Sequence, residues 1–458
     1  MKLPNPQTGL TAPRESASVL VIVLWICIGL VSIALYFANS MTYEFRAADN
    51  RVNGLISDQA IEGAARYFAV VLQNYATNGV VPDNSQFKCE AVTIGDAKFW
   101  VIGRDPSGES STEPYFGLVD EGGKINLNNA NTNVLAYLPN MTMDFANAIQ
   151  DWRGTNGIVS LDYNSLGYLP KNAPFETVDE LRLVYGADPV LLAGEDINRN
   201  GVLDANEKDL NGNGQLDPGL FEYTTVYTRE PNFHSDGTTL TNLNAPNLKV
   251  GDLTALLRDD GASSPDSRAT QIFTYLHPRT GPAHKVNGLF DFAVLCRTFG
   301  MSASDFTSIA GDVTTGTNTY FRARVNVNTA SADVLTALFM SLNNVDENTA
   351  DSAAQTLVTY RQQNPDNLST VGWVYDALGS GNPVVTALRT GDYITTRSFQ
   401  FTADIAAVGA YGRGYRRVKF VFDMSDGAPK ILYRQDLSRL GWALGEKARQ
   451  NLLANNTQ

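Results

Sequence analysis

The fold of this chain is decided by an apolar stretch near its start, Val19–Ala38, with the sequence VLVIVLWICIGLVSIALYFA. These twenty residues include no charged side chain. Because an α-helix rises about 1.5 Å per residue, such a stretch spans the roughly 30 Å apolar core of a bilayer. The sequence therefore predicts a membrane-spanning helix near the N-terminal end.

The helix is predicted to continue well beyond the membrane. No proline occurs between Arg14 and Val81, so nothing forces the helix to end early. Apolar residues then recur at the helical spacing expected of one buried face: Val52, Ile56, Ala60, Ala64, Tyr67 and Val71. We therefore predict a membrane stem followed by a packing spine. The alternative is an ordinary signal-anchor followed by an unrelated soluble domain.

A short leader, residues 1–17, precedes the apolar stretch. A secretory signal peptide would be cut after the stretch, but Phe37–Ser40 is a poor cleavage site for signal peptidase. Cleavage before the stretch, between Ala17 and Ser18, would keep the whole helix in the mature protein. We place the leader in the cytoplasm and the bulk of the chain on the other side of the membrane.

The composition is that of an exported globular protein. The chain has 458 residues, 43% of them hydrophobic, which is enough for two or three domains with sizeable cores. Its formal net charge of −13 argues against nucleic acid and anionic lipid as partners. Cys27 is expected to be a small packing residue in the apolar stretch. Cys89 and Cys296 could pair in an oxidising compartment.

Strand patterns occur at both ends of the chain. Phe87–Ile94 and Lys98–Ile102 are typical of a β-hairpin. An antiparallel meander is predicted downstream, over Phe399–Val408, Tyr415–Met424 and Lys430–Arg434. Since helical patterns lie between, the simplest arrangement is an α+β fold: a long helix packed on an antiparallel sheet that a large helical insertion interrupts.

The predicted organisation has five parts. They are the leader at 1–17, the helix and first strands at 18–123, the inserted domain at 124–395, the last strands at 396–444 and a polar tail at 445–458. A polar terminal segment of this kind is often disordered.

The insertion contains an internal repeat. Lys124–Leu138 (KINLNNANTNVLAYL) matches Arg324–Leu338 (RVNVNTASADVLTAL) position by position. An asparagine in each copy, Asn128 or Asn328, is predicted to cap the helix that follows. A second helix is then predicted in each copy, at Met143–Arg153 and at Glu347–Arg361. The pattern is typical of two helix-hairpin-helix units that pack together.

Helix-hairpin-helix units often bind DNA through a glycine turn whose N–H groups approach a phosphate. Neither copy has such a turn, since the first has Asn140–Thr142 there and the second has the longer Met340–Asp346. The acidic net charge also opposes DNA binding. We interpret the repeat as scaffold, which makes an exported DNA receptor the least favoured function.

The most specific chemical signal is the segment DINRNGVLDANE, Asp196–Glu207. Oxygen-bearing side chains occupy positions 1, 3, 5, 9 and 12 of a calcium-binding loop, with glycine at position 6 and a backbone carbonyl at position 7. The predicted ligands are Asp196, Asn198, Asn200, Val202 through its carbonyl, Asp204 and Glu207. A flexible, oxygen-rich cage favours calcium over magnesium. The alternative is a solvated turn cluster, which would not need glycine and acid at these offsets.

A second loop of the same kind starts at Asp209, so that the calcium-binding segment covers 196–222. Its predicted ligands are Asp209, Asn211, Asn213, Gln215 and Asp217. Position 12 is Leu220 instead of an acid, although Glu222 is near in the sequence. The loops leave no room for a helix between them, which disfavours a sensor that opens on binding. We predict a structural clamp that holds one or two calcium ions.

No enzyme motif is found. The three histidines, His234, His277 and His284, form no spaced pair, and the sequence has no G-x-S-x-G, H-E-x-x-H or P-loop motif. The glycine-rich segment Gly409–Gly414 joins two predicted strands and opens no helix, so we interpret it as a hairpin turn. We predict that the protein is not an enzyme.

Several stretches together resemble the type II secretion minor pseudopilin K family of type IV pilin-like proteins. They are Arg14–Trp25 (RESASVLVIVLW), Gly117–Asn128 (GLVDEGGKINLN), Asp151–Arg153 (DWR) and Lys171–Leu181 (KNAPFETVDEL). Any one of them alone would be weak, but the resemblance extends over nearly the whole chain, from Arg14 to Leu444.

The resemblance implies both an architecture and a function. Pseudopilins pack their N-terminal helices into a short periplasmic filament that helps folded proteins cross the outer membrane. The K-type member resembles a tip cap that binds the I and J minor pseudopilins, carries a large helical domain inserted in its pilin-like domain, and has relatives that bind calcium. The implied surroundings are the inner membrane, crossed once, and the periplasm. The implied further partners are the major pseudopilin and prepilin peptidase.

Two positions near the start bear on this resemblance. Most pilin-type helices carry a glutamate five residues into the mature chain, and cleavage after Ala17 would place Ile22 there. An unpaired carboxylate in lipid is costly, so a tip subunit gains by lacking it. Ala17 itself departs from the glycine that prepilin peptidase usually requires. The second hypothesis is therefore an uncleaved, inner-membrane-anchored, calcium-stabilised periplasmic binding or scaffold protein.

Overall fold

The computed structural model describes residues 15–106, 111–154 and 163–454. The helices, in chain order, are α1 Glu15–Tyr75, α2 Thr132–Ala136, α3 Met143–Trp152, α4 Pro189–Ala193, α5 Leu220–Tyr223, α6 Val250–Asp259, α7 Pro265–Leu276, α8 Leu289–Thr298, α9 Ala303–Ile309, α10 Ala332–Met340, α11 Glu347–Gln363, α12 Gly372–Leu378, α13 Pro383–Leu388 and α14 Gly445–Ala454. Short 3₁₀ helices cover Thr77–Gly79, Asn84–Gln86, Tyr163–Leu166, Val178–Leu183, Pro365–Asn367, Ala410–Gly412 and Ser438–Leu440.

Most strands are short. They are β1 Val92–Ile94, β2 Ala97–Ile102, β3 Val119–Asp120, β4 Ile125–Asn126, β5 Thr224–Thr225, β6 Glu230–Pro231, β7 Thr241–Asn242, β8 Val313–Thr314, β9 Tyr320–Phe321, β10 Val325–Asn326, β11 Ile394–Thr395, β12 Gln400–Val408, β13 Arg416–Asp423 and β14 Lys430–Asp436.

The predicted long helix is confirmed. α1 runs for 61 residues without interruption, and its part from Val19 onwards is long and apolar enough to cross a membrane. All side chains from 19 to 48 are exposed, and the first buried one is Asn53. The helix therefore reaches the folded head only there, which is why Val52, expected to pack, is 54% exposed.

The main sheet joins the two ends of the chain. Its strands pair in the order β1-β2-β12-β13-β14, all antiparallel, and β3 pairs with β12. The hairpin and the meander predicted from sequence are thus confirmed, and they belong to one sheet. The first strand is shorter than predicted, because the chain bends at Ala91, which has a left-handed backbone with φ 50°.

One face of the sheet packs against the lower half of α1. Ile61, Phe68 and Leu72 of the helix share a core with Phe401 and Phe420 of the sheet, and all five are at most 1% exposed. This apolar contact is the main force that holds the spine to the sheet.

The glycine-rich turn between β12 and β13 meets α1 at close range. Gly414 has a left-handed backbone with φ 67°, and a Cβ atom there would collide with the backbone of Asn53 and Gly54. The hairpin turn predicted over 409–414 is confirmed. Its glycines allow the backbone of the turn to lie against the backbone of α1.

The insertion consists of three units instead of the two that the sequence predicts. Each unit starts with a two-residue strand that ends in asparagine and closes with a parallel two-residue strand after its helices; the pairs are β4–β5, β7–β8 and β10–β11. The strand asparagine, Asn126, Asn242 or Asn326, accepts a hydrogen bond of 2.9 Å from the backbone two residues later. All three units contribute to one continuous core.

The predicted helix caps are wrong. Asn131 and Ser331 cap α2 and α10, each accepting a hydrogen bond from a backbone N–H three residues on. Asn128 instead bonds both backbone groups of Phe175, and Asn328 bonds the Leu368 carbonyl. These asparagines tie the start of a unit to a loop that follows its second helix.

The two predicted helix pairs are present, at α2–α3 and α10–α11. Asn140 and Asn344 turn the chain between the helices with left-handed backbones, φ 59° and 62°. Asparagine tolerates this conformation better than most residues. The hairpin predicted to be longer in the second copy is not longer, because α10 has one more helical turn than α2. The loop after α10 then reverses the chain in the same way as the loop after α2.

Two further expectations need correction. The tail was predicted to be polar and of a type that is often disordered. Its residues Gly445–Ala454 instead form α14, and Leu452 packs beside Trp100 on the face of the sheet opposite α1. Cys89 and Cys296 are unpaired, because Cys89 lies by the sheet, with its thiol against the Phe116 carbonyl, and Cys296 lies in the core of the insertion.

Candidate functional site

The first acidic loop folds around the carboxylate of Asp196. The Asp196 oxygens accept hydrogen bonds from the backbone N–H groups of Asn200 and Gly201, at 2.9 and 2.8 Å. The side-chain amides of Asn198 and Asn200 both donate to one oxygen of Asp204. Four predicted ligands thus converge as their spacing requires, with Gly201 at φ 83° making the sharp turn.

Glu207 closes this loop with both carboxylate oxygens. One accepts from the N–H of Asn198 and the other from the N–H of Asp204, each at 3.1 Å. In the part of the chain that the structure describes, no hydrogen bond is donated to the carbonyl of Val202. That carbonyl is therefore available at the position predicted to bind a cation.

The second loop repeats this geometry at the surface. The Asp209 oxygens accept from the N–H groups of Gly212 and Gly214, at 2.6 and 2.8 Å, and the amides of Asn211 and Asn213 donate to Asp217. The N–H of Gln215 bonds the Asn213 side chain at 2.7 Å. All five predicted ligands of the second loop lie in one local cluster.

The acid that closes the second loop was not predicted. Glu195 accepts hydrogen bonds from the N–H groups of Leu210 and Asp217, as Glu207 does in the first loop. Glu222, considered from sequence, instead pairs with Arg104 at 2.8 Å. The signal that could have identified Glu195 is that it stands just before the first loop, as Glu207 stands two residues before the second.

The two loops differ in burial and in electrostatics. Asp196 is 4% exposed, and burial raises its pKa although the charge of Arg104 opposes the rise. Burial also raises the pKa of Glu207. Asp209 is only half-buried, and hydrogen bonds led by that of Gly214 lower its pKa. The first loop therefore holds carboxylates whose charge the protein compensates only in part.

The first loop touches the main sheet. Arg417 on β13 has a fully buried side chain, and it binds both carboxylate oxygens of Asp404 on β12, at 2.9 and 2.7 Å. Its remaining N–H groups donate to the backbone carbonyls of Asn198 and Arg199. The Asn198 side chain also donates to the Trp442 carbonyl at 3.2 Å.

The chain enters and leaves the loop segment at one place. Gly194 and Pro218 form an isolated β-bridge, and a Cβ atom on Gly194 or on Gly219 would collide with the other's backbone. The segment between them is an excursion from the first unit, because the chain leaves after α4 and returns before α5 to the place where it left.

The donor set suits a hard cation. The loops offer carboxylate, amide and carbonyl oxygens, the ligands that calcium prefers. Among the described residues, no three His, Cys, Asp or Glu side chains are placed to hold a metal ion together. Any ion here therefore needs the amide and carbonyl oxygens, as the sequence pattern predicts.

Predicted processing residues Ala17 and Ser18 lie in the first turn of α1, which starts at Glu15. The leader residues 1–14 fall outside the described residues. Beyond the apolar stretch, α1 continues as a stem that exposes large side chains: Met41 58%, Tyr43 67% and Phe45 70%. Such a surface on a single helix is unusual for a protein that stays alone.

No protein-family model matches the sequence, and no curated protein is significantly similar to it. Among solved structures, the chain is similar to part of the GspK–GspI–GspJ complex from the enterotoxigenic Escherichia coli type 2 secretion system. The sequence identity is 16%, over 46% of this chain and 78% of the other, with a TM-score of 0.18. At that TM-score the superposition carries no structural argument.

Proposed function

We propose that this chain is a minor pseudopilin of the K type, which caps the tip of a type II secretion pseudopilus. Its role is then structural: it takes part in protein secretion across the outer membrane and catalyses no reaction. The observation that carries the proposal is α1, one helix with a fully exposed apolar half and a second half packed on an antiparallel sheet. The stretches that resemble the K-type family support the same assignment.

The exposed stem supports assembly with other helices. Between the apolar stretch and Asn53, α1 continues for 14 residues, or roughly 20 Å, and exposes four large apolar side chains to solvent: Met41, Tyr43, Phe45 and Val52. Packing against helices of the I and J minor pseudopilins and of the major pseudopilin would bury this surface. The burial of apolar area would then drive association.

The large head suits a terminal position. The insertion adds three helical units to the sheet on which α1 packs. A subunit with this bulk above its spine hinders the addition of another subunit beyond it. Ile22 in place of the usual glutamate agrees with a subunit that has no neighbour above it.

Calcium in the two loops is part of the proposal. Glu207 and Glu195 would each close one loop, and the buried carboxylate of Asp196 would gain the compensating charge that Arg104 supplies only in part. The bound ions would stiffen a segment that lies between the insertion and the sheet. Their role is structural, because the second loop follows the first directly and the short helix α5 after the second loop is anchored by its buried residues Leu220 and Tyr223.

The second hypothesis, an uncleaved membrane-anchored periplasmic scaffold, is favoured by Ala17, which departs from the usual glycine at the cleavage site. The two hypotheses are separated by the N-terminal sequence and the intact mass of the protein from native membranes. A chain that starts at Ser18 with a methylated amine supports the pilin pathway, with the protein in the inner membrane and its head in the periplasm. A chain that starts at Met1 refutes the filament role and supports a permanent anchor.

A further inference from the structure

The fourth position of the first calcium loop has an unfavourable backbone. Arg199 there is left-handed, with φ 59°, a conformation that an L side chain adopts reluctantly. The equivalent position of the second loop is Gly212, with φ 74°, where glycine adopts the same conformation freely. Some contact outside the loop must therefore hold Arg199.

Those contacts come from the sheet, from the insertion and from Arg104, which donates to the Arg199 carbonyl at 3.5 Å. Arg417 donates to the Arg199 carbonyl at 2.8 Å and to the neighbouring carbonyl of Asn198. The Arg199 side chain pairs with Asp179 at 3.0 Å and lies 4.0 Å over the ring of Phe221. The backbone that separates ligand positions 3 and 5 is thus fixed on both sides.

We propose that Arg417 is a positioning residue for the first calcium loop, so that cation binding and docking of the insertion on the sheet stabilise each other. This inference rests on the proposed calcium site. Arg417 selects the loop conformation in which the oxygens of Asp196, Asn198 and Asn200 converge. By thermodynamic reciprocity, an ion that prefers this conformation strengthens the contact with the sheet by the same factor.

The second loop serves as an internal control. Its third and fourth positions, Asn211 and Gly212, are exposed. Among the described residues, no arginine donates to their carbonyls. The effect of Arg417 is therefore confined to the first loop.

The test uses the full chain in detergent micelles and the variant Arg417→Lys. The lysine keeps a positive charge opposite Asp404, but one ammonium group cannot also hold two carbonyls. The matched control is Arg434→Lys on β14, whose pair with Glu62 at 3.0 Å is at the surface. Terbium serves as the probe for the first loop, since the Trp442 backbone contacts Asn198 and its indole can sensitise the emission.

We expect terbium to bind the first loop about tenfold more weakly in Arg417→Lys, with the second loop and the control unchanged. The calcium-dependent rise in Tm should shrink in this variant, because a merely structural loss would lower Tm equally with calcium or with EGTA. Equal affinity in Arg417→Lys and wild type would overturn the inference. If wild type binds neither terbium nor calcium, both the calcium site and this inference are wrong.

A measurement on the wild type covers the case in which Arg417→Lys does not fold. Hydrogen exchange of β13, Arg416–Asp423, should be several-fold faster in EGTA than in calcium near Arg417. Exchange at β14 serves as the reference within the same sheet. If calcium changes neither strand, the proposed coupling does not exist.

Discussion

Arg361 in the third unit of the insertion makes the same pair of contacts as Arg153 in the first. Each arginine extends from the second helix of its unit to two carbonyls of the loop that starts the unit; for Arg361 these belong to Val327 and Ala330, at 3.1 and 2.7 Å. The arginines lie at different places in the two repeats, because the helices of the third unit are longer. The contact is therefore kept in space although its spacing in sequence differs.

Loss of this contact should destabilise the insertion. Arg361→Met is expected to lower the free energy of unfolding by about 2 kcal/mol, because two buried carbonyls lose their donors. The control is Arg258→Met, whose pair with Asp266 is exposed on both sides and should change stability by less than about 0.5 kcal/mol. Urea unfolding of the full chain in micelles measures both. Equal stability of the two variants would contradict the role of Arg361.

The closing acids should act each on its own loop. Glu195→Gln is expected to remove calcium from the second loop and leave the first occupied, and Glu207→Gln to do the reverse, because each carboxylate closes only one loop. Titration calorimetry of the full chain should give one site for each variant and two for wild type. Loss of the second site in Glu222→Gln, with both sites retained in Glu195→Gln, would show that the acid closing the second loop is misassigned.

The contact between α1 and the sheet depends on Gly414. Gly414→Ala should lower the free energy of unfolding by clearly more than about 1 kcal/mol, since the new Cβ adds a collision with Asn53 to the backbone strain. Gly427→Ala is the matched control, because that glycine is also left-handed, φ 80°, but has open space around it. Thermal unfolding of both variants separates the two effects, because Gly427→Ala adds backbone strain alone and Gly414→Ala adds backbone strain and a collision. If they are equally stable, the close approach of helix and hairpin is incorrect.

Stability should fall in acid partly through Asp179. Burial alone would raise the pKa of this carboxyl. The hydrogen bond and positive charge of Arg199, together with a hydrogen bond from the Gln435 amide, lower the pKa to about 2, below the ordinary 3.8. The ionised Asp179 therefore adds about 2 kcal/mol to the free energy of unfolding above about pH 4. This stabilisation is lost as the pH falls towards about 2. Asp179→Asn should flatten this part of the stability profile. Asp266→Asn, at an exposed pair, should leave the profile as in wild type.

Ile22 should set the place of the subunit in the filament. Introducing a charge by Ile22→Glu is expected to reduce incorporation at the tip several-fold, because the carboxylate would lie in lipid without a partner. Ile22→Leu preserves apolar character and serves as control. Crosslinking of assembled filaments, followed by a count of the copies of this subunit in each filament, measures its incorporation. Assembly of Ile22→Glu along the shaft, as efficient as that of wild type at the tip, would refute the tip argument.

The sequence predicts well what depends on local periodicity. The long helix, the hairpin, the meander and both helix pairs follow from spacing that backbone geometry fixes. The sequence does not reveal the second unit, because Thr241–Asn244 repeats only four residues of the pattern Ile125–Asn128 and the rest of that unit has diverged. A search for the short motif x-Asn-apolar-Asn would have found it.

What the sequence does not predict are contacts between distant segments. Asn128 looks like a helix cap, but its side chain bonds Phe175, and nothing local distinguishes the two uses. Arg417 reads as an ordinary strand residue, yet it is buried against a loop more than 200 residues away in the sequence. Its burial depends on Asp404 from another strand. Such pairs are selected by the tertiary fold.

The narrow base of the loop segment has a consequence for how this protein could be altered. Because Gly194 and Pro218 already touch, a variant that joins them directly would be 23 residues shorter and would keep the backbone path of the first unit. The loss would fall on the sheet, because the buried guanidinium of Arg417 would no longer contact the carbonyls of Asn198 and Arg199. The loop segment is thus separable in its covalent path but is part of the packing around Arg417.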